Sequence, residues 1–126
     1  MLTMYGISNC DTIKKARKWL NTAGVEYTFH DYKKLGVDRA IIANSIAATN
    51  IETVVNKRGT TFRKLSDHDK LVVDAYADDA DAVLDLLCNN PSMIKRPILV
   101  KQTNSIAVSF TVGFVDTTYQ ELIDGA

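Results

Sequence analysis

The stretch that decides the fold is LTMYGISNCDTIKKARKWLNTAG, residues 2–24 of a chain of 126 residues. It begins with a short apolar run followed by turn residues, which predicts a buried strand over residues 2–7. Apolar residues then recur at positions 13, 16, 20 and 23, while lysine and arginine fill most of the other face. This spacing predicts an amphipathic helix over residues 12–23, and Gly24 is a natural C-terminal stop for it.

The rest of the chain extends this strand–helix start into an α/β pattern. Residues 25–32 are rich in β-branched and aromatic side chains and predict a second strand, parallel to the first. The middle is helical, with helices predicted over residues 37–49, 51–55, 66–72 and 78–89 and a polar loop over 56–64. The end is predicted to contain strands over 94–100 and 105–110 and a helix over 116–123.

A β-α-β half followed by a β-β-α half is the thioredoxin-like layout, with a mixed four-stranded sheet. We therefore predict one domain over residues 1–126. Its two halves are separated by a helical insertion over about residues 37–92, which is too long for an ordinary loop.

The composition excludes several classes of protein. The chain has 46% hydrophobic residues but only six glycines, two prolines and two cysteines. These values fit one globular domain and exclude a long disordered tail, a collagen-like chain and a disulfide-stapled miniprotein. No stretch approaches the ~20 apolar residues that span a bilayer, so no membrane partner is expected. Because the N-terminus lacks the pattern of a secretory signal, we expect a reducing, cytoplasmic location.

The zero net charge conceals two halves of opposite sign. Residues 1–65 hold 11 basic and 5 acidic residues, whereas residues 66–126 hold 4 basic and 10 acidic residues. A nucleic-acid-binding domain would carry a continuous basic face, so no nucleic acid partner is expected. The division fits either two solvated faces or a positive field around a site in the first half.

Cys10 is the first candidate for chemistry, because it lies where the first predicted strand gives way to the first helix. Helix N-termini carry partial positive charge and unpaired N–H groups, and Lys14 and Lys15 follow within the first turns. Such surroundings lower a thiol pKa to ~3.5–7.5 from ~8.5. The Thr12 hydroxyl is also predicted to reach the sulfur. The alternative is a buried cysteine that acts as a small apolar residue.

Position 13 is isoleucine, so Cys10 lacks the partner of a Cys-x-x-Cys pair. A disulfide formed by Cys10 must therefore be resolved by an external thiol or by Cys88. Cys88 lies on the apolar face of its predicted helix, which favours a core position, and a resolving role requires Cα atoms within ~7 Å. His30 and His68 have no partners at metal-ligand spacing, so no metal site is predicted.

Arg96-Pro97 is the second candidate. Proline at the start of a central strand is unusual, and in thioredoxin-like layouts a cis proline there places the preceding residue beside the reactive cysteine. Arg96 would then hold a carboxylate or oxyanion and favour the Cys10 thiolate. The alternative is a trans proline at a sheet edge with a solvated arginine.

The basic run NKRGTTFRK, residues 56–64, is the third candidate. It contains Lys57 and Arg58, which we predict to supply further cations to an anionic substrate. The alternative is a solvated basic turn, and the sequence does not decide between the two.

Taken together, these segments resemble the ArsC (arsenate reductase)-like family in its Spx/YffB branch. The residues that carry the resemblance are YGI at 5–7, NCDTIKKA at 9–16, NKRGTTFRKL at 56–65, IKRPILV at 94–100, and Gly113-Phe114 followed by Tyr119. The resemblance implies a thioredoxin fold with a helical insertion, Cys10 as the single nucleophile and Arg96 as the active-site arginine on a cis-Pro97 strand.

From the resemblance and the site residues together, we predict an arsenate reductase-like thiol oxidoreductase that exchanges thiols with mixed disulfides. Glutathione would be its co-substrate, with no bound cofactor. Asn9 and Thr12 would complete the donors around the sulfur, while Lys57, Arg58 and Pro97 would contribute to substrate binding.

The glutathione-coupled arsenate reductases use further arginines, one of which corresponds to Asn56. Another falls after the third strand, where the chain has no Lys or Arg between Gln102 and Asp116. The alternative implied is a Spx-like adaptor that binds RNA polymerase or another protein, although Ile13 removes the Cys-x-x-Cys switch that many Spx regulators carry.

Overall fold

The computed structural model describes residues 1–124 and divides the chain into two compact units. Of the described residues, the sheet unit comprises 1–35 and 96–124. The helical unit comprises Gly36–Lys95. The sequence predicted the helical insertion over residues 37–92, so the unit in the structure is slightly longer at both ends.

Within residues 1–124, the sheet unit contains four strands in the order β2-β1-β3-β4. Their bounds are β1 Leu2–Gly6, β2 Thr28–Asp31, β3 Ile98–Thr103 and β4 Ile106–Val112. β1 runs parallel to β2 and antiparallel to β3, and β3 runs antiparallel to β4. This mixed sheet confirms the predicted thioredoxin-like fold.

The helices of the sheet unit are α1 Asp11–Thr22, α2 Tyr32–Leu35 and α8 Asp116–Asp124. α1 connects β1 to its parallel neighbour, and its buried residues Ile13, Ala16 and Leu20 are those that the periodicity assigns to the apolar face. Gly24 follows α1 with φ of 72°, the left-handed conformation of a helix stop.

The core of the sheet unit forms between α1, the sheet and α8. Tyr119 is fully buried there, and its ring meets those of Trp19 and Phe114 edge-on, at centroid distances of 5.7 and 4.8 Å. Burial raises the pKa of Tyr119 above its ordinary range. The other buried members of this cluster are Leu2, Met4, Ile13, Ala16, Leu20 and Leu99. Because α1 packs on this core along its length, its N-terminal end is held firmly beside β1.

The helical unit contains α3 Arg39–Ala48, α4 Ile51–Val54, α5 Thr60–Arg63, α6 Asp67–Asp74, α7 Ala80–Asn89 and a 3-10 turn at Pro91–Met93. Four of these helices begin with a side-chain cap. The capping residues are Asp38, Asn50, Ser66 and Asp79. Each accepts a hydrogen bond from a backbone N–H of the first turn, which satisfies a donor that would otherwise lack a partner.

Several boundaries differ from the sequence prediction, most of them by one or two residues. The strand predicted over residues 25–32 spans only Thr28–Asp31, because Tyr32 already begins α2. The strand predicted over residues 94–100 begins only at Ile98, because Ile94 instead pairs with Val55 in an isolated bridge within the helical unit. The predicted loop at 56–64 contains the short helix α5. In residues 1–124, no helix has the length and apolar character needed to cross a membrane.

Candidate active site

Cys10 is the N-cap residue of α1. Its backbone is extended, with φ of −106° and ψ of 130°, and its carbonyl accepts the Lys14 N–H at 3.0 Å. The side chain is partly buried and packs against the core of the sheet unit. No carboxylate or hydroxyl side chain caps α1 at this position. The backbone N–H groups of the first turn therefore face the sulfur of Cys10 instead.

The surroundings of Cys10 lower the pKa of its thiol. Partial burial is the largest single effect and raises the pKa, but three neighbours outweigh it. These are the backbone N–H of Ile13, the Arg96 guanidinium and the backbone N–H of Thr12. Each favours the thiolate, as expected at a helix N-terminus beside a cation. The structure therefore places a thiol with increased thiolate character at the N-terminus of α1.

Arg96 and Pro97 lie next to this thiol in the sheet unit. The Arg96-Pro97 peptide bond is cis, as the sequence predicted. Pro97 is buried, and its carbonyl accepts the Gly113 N–H at 2.8 Å. Arg96 is half-buried and acts on Cys10 through a hydrogen bond and through its charge. The predicted pair of Cys10 and Arg96 is therefore brought together, while its catalytic role remains a prediction.

Gly6 belongs to the same site and was not singled out by the sequence. A Cβ on Gly6 would lie 2.5 Å from Ile13 Cδ1 and 3.8 Å from Arg96 Cβ. A side chain at position 6 would force the end of the buried Ile13 side chain to move, so a glycine here favours the close packing of α1 on β1. The only signal in the sequence is a glycine inside a predicted strand, which indicates a close backbone approach.

Asn9 and Thr12 flank Cys10 and are exposed. Asn9 lies in the turn that joins β1 to α1, and it is not among the groups that lower the pKa of Cys10. The predicted contribution of Thr12 needs a correction. The group that lowers the pKa of Cys10 is the Thr12 backbone N–H, because a helix directs its first N–H groups along the axis toward the N-cap.

Lys57 and Arg58 belong to the helical unit, and their role toward a substrate stays a prediction. The Lys57 ammonium forms ion pairs with Asp74 and Glu52, and the hydrogen bond to Asp74 is the main cause of its raised pKa. An anionic substrate would have to compete with both carboxylates. Arg58 is exposed, and its backbone N–H donates to Asn56 Oδ1 at 3.2 Å.

Cys88 is a free, partly buried thiol in the last turn of α7. Its pKa is raised, chiefly by burial and also by Asp85 and Asp38, although Arg39 acts in the opposite direction. A protonated thiol is a poor nucleophile, so these surroundings favour a structural position over a resolving role.

A four-stranded thioredoxin-like sheet with one cysteine before α1 and a cis proline before β3 defines a class of thiol-dependent folds. The ArsC family model matches residues 5–122, and the chain therefore belongs to the ArsC family.

Two curated relatives cover most of this chain. An uncharacterized protein of Haemophilus influenzae is 37% identical over 120 residues, covering 95% of this chain and 96% of that protein. The global transcriptional regulator Spx of Streptococcus pyogenes is 27% identical over 104 residues, covering 81% of this chain and 73% of the regulator.

Two solved structures share both fold and sequence with the chain. The YFFB protein is 40% identical, with a TM-score of 0.79 and coverage of 95% of this chain and 96% of that protein. An arsenate reductase (ArsC) related protein from Brucella melitensis is 41% identical, with a TM-score of 0.65 and coverage of 97% and 93%. These similarities agree with the Spx/YffB branch that the sequence indicated.

Proposed function

We propose that the chain is a glutathione-dependent thiol oxidoreductase with Cys10 as its nucleophile. The observation that carries this proposal is the position of Cys10, at the uncapped N-terminus of α1 with Arg96 beside it. Membership of the ArsC family and the similarity to an arsenate reductase related protein support the same class of activity.

The proposed reaction consists of two thiol–disulfide exchanges. In the first, the Cys10 thiolate attacks the glutathione sulfur of a mixed disulfide. An S–S bond forms between Cys10 and glutathione, and the substrate leaves as a thiolate that takes a proton from solvent. In the second, the thiolate of another glutathione attacks the bound glutathione sulfur. This releases glutathione disulfide and regenerates the Cys10 thiolate, so the substrate disulfide is reduced and glutathione is oxidised to its disulfide.

Arg96 has two tasks in this scheme. It stabilises the Cys10 thiolate before attack, and it stabilises the same thiolate again as the leaving group of the second exchange. Because the scheme needs reduced glutathione, we place the reaction in a reducing compartment such as the cytoplasm.

We propose glutathione mixed disulfides, rather than arsenate, as the main substrates. An arsenate oxyanion needs several cations in a closed pocket. The chain has no Lys or Arg between Gln102 and Asp116, and Lys57 is paired with two carboxylates. With glutathione present, a glutathionylated peptide should turn over faster than arsenate. Equal or faster reduction of arsenate would overturn this choice of substrate.

The test of the enzyme is the pH dependence of Cys10 alkylation by iodoacetamide, measured in the Cys88→Ser variant so that one thiol reacts. Since the pKa of Cys10 is lowered, its rate should reach half-maximum below the ~8.5 of an unperturbed thiol and then level off. Because folding lowers the pKa of Cys10, its thiolate adds to the stability of the fold at pH values above the pKa of this thiol in the unfolded chain. This contribution is lost as the pH falls through the pKa in the folded chain. A midpoint at or above that of a free cysteine would exclude the proposed activation.

The second candidate is a Spx-like adaptor that binds RNA polymerase. The observation that favours it is the 27% identity to Spx over 104 residues. The adaptor would show tight binding to RNA polymerase subunits with an unreactive Cys10. A reactive Cys10 and no such binding would favour the enzyme.

A further inference from the structure

A cavity of 370 Å³ opens between α1 and the edge strand β2, close to the loop that carries Cys10. It lies entirely within the sheet unit. Its lining residues are Ser8, Arg17, Phe29, Asp31, Lys34 and Leu35. The walls therefore combine two cations and one carboxylate with an aromatic ring, a composition that suits a small ligand carrying both charges.

Arg17 lies between this cavity and a neighbouring one around Tyr27, and its head is fixed by two contacts. Its Nε donates a hydrogen bond to the Tyr27 hydroxyl at 3.0 Å, and its guanidinium carbon lies 4.3 Å from the centre of the Phe29 ring. These contacts hold the planar head in one orientation without neutralising its charge. An arginine held in this way presents a preformed fork to a carboxylate.

Asp31 is the unusual member of the lining, because it is a carboxylate with only 7% of its surface exposed. Its Oδ1 accepts the Lys33 backbone N–H at 2.9 Å. Among residues 1–124, no basic side chain pairs with it within 4.0 Å. Buried carboxylates are usually paired with a cation, and an ammonium group of a ligand would supply that partner.

We propose that this cavity binds the γ-glutamyl end of glutathione, with the α-ammonium on Asp31 and the α-carboxylate on Arg17 and Lys34. The inference rests on the proposed function and explains how the site around Cys10 would recognise glutathione as its co-substrate. Ser8 lines the cavity two residues before Cys10, so their Cα atoms are at most ~7 Å apart. In glutathione the cysteine follows the γ-glutamyl residue. The thiol of a glutathione held here by its γ-glutamyl end is therefore one residue away from the group that occupies the cavity.

The charges of the lining distinguish the two ends of the tripeptide. The glycine end carries only a carboxylate and would leave Asp31 without a cation. The γ-glutamyl end carries an ammonium and a carboxylate on one carbon, which matches an acidic group and two basic groups around one cavity. The site should therefore require the free amino group of the ligand.

The experiment measures binding of S-methylglutathione by NMR titration and calorimetry. This ligand has no free thiol, so binding does not depend on exchange at Cys10. It is compared with its glutaryl analogue, which lacks only the α-amino group. We expect the analogue to bind roughly tenfold more weakly to the unmodified chain. Chemical shift changes should fall on Ser8, Asp31 and Lys34.

The same two ligands are then titrated into variants of the chain. Asp31→Asn keeps an oxygen for the Lys33 N–H, and it should reduce affinity for S-methylglutathione to that of the analogue while leaving the analogue unaffected. Lys34→Gln should weaken both ligands. The adjacent Lys33→Gln is the matched control, because Lys33 is exposed but does not line the cavity, and it should bind both ligands normally.

Equal binding of the two ligands to the unmodified chain would overturn the site, as would shift changes away from the cavity or no detectable binding at millimolar concentration. The ligand comparison needs no mutation, so it tests the site even if a variant fails to fold. Selective binding without turnover would refute the proposed reaction but not the site. Turnover without selectivity for the ammonium would refute the site but not the reaction.

Discussion

The two cysteines lie in the two units of the molecule, and their surroundings shift their thiols in opposite directions. Both are partly buried, and both have an arginine nearby. Cys10 precedes the first turn of α1, where N–H groups favour a negative charge, and its pKa is lowered. Cys88 lies in the last turn of α7, where its pKa is raised, chiefly by burial and also by Asp85 and Asp38.

The comparison teaches that a nearby arginine does not by itself make a cysteine reactive. Arg39 forms ion pairs with Asp81 and Asp85, and these carboxylates offset much of the effect of its charge on the pKa of Cys88. At Cys10 the backbone N–H groups of α1 help Arg96 to outweigh burial, whereas at Cys88 burial and two aspartates outweigh Arg39.

The largest expected effect separates the two thiols directly. Cys10→Ser should reduce glutathione-dependent turnover of a glutathionylated peptide by more than ~1,000-fold, because the nucleophile is lost. Cys88→Ser is the matched control and should remain within about twofold of the unmodified chain. A large loss of turnover in Cys88→Ser would show that Cys88 acts as the resolving thiol.

A smaller effect separates the two arginines. Arg96→Gln removes a group that lowers the pKa of Cys10, so the thiolate fraction at pH 7 falls. Alkylation of Cys10 at that pH should slow roughly three- to tenfold. Arg39→Gln serves as the control and should leave the rate unchanged. Equal rates in all three proteins would mean that the helix N-terminus alone activates the thiol.

The smallest effect compares the beginnings of the two helices. Asp79 caps α7 by accepting the Ala82 N–H at 3.2 Å, so Asp79→Ala should lower the free energy of unfolding by about 1 kcal/mol. α1 has no such cap, and Cys10→Asp should raise the same quantity by about 0.5 kcal/mol while abolishing activity. Urea unfolding followed by far-UV circular dichroism measures both values. Destabilisation by Cys10→Asp would contradict the interpretation of α1 as uncapped.

The sequence predicted the features that depend on local patterns. The apolar spacing of α1 gave its buried face, and the helix predicted from residue 66 begins one residue later, at Asp67. The cis Arg96-Pro97 bond was predicted from the order of strands, because that order places the proline at the start of a central strand.

The features that were not predicted depend on contacts between residues far apart in the chain. Lys57 pairs with Asp74, 17 positions away, and no local pattern indicates that partner. The pairing of Ile94 with Val55 shortens the predicted strand for the same reason. The preference for glycine at position 6 arises only when Ile13 of α1 has been placed against it.

The position of Trp19 gives the sheet unit a tryptophan fluorescence signal that the helical unit lacks. It is the only tryptophan in the chain, and it lies edge-on to Tyr119 in the core beneath α1. Its fluorescence therefore reports on the unit that carries Cys10 and Arg96, whereas far-UV circular dichroism is dominated by helices and reports on both units. Denaturation curves from the two signals would coincide only if the units unfold in one cooperative transition.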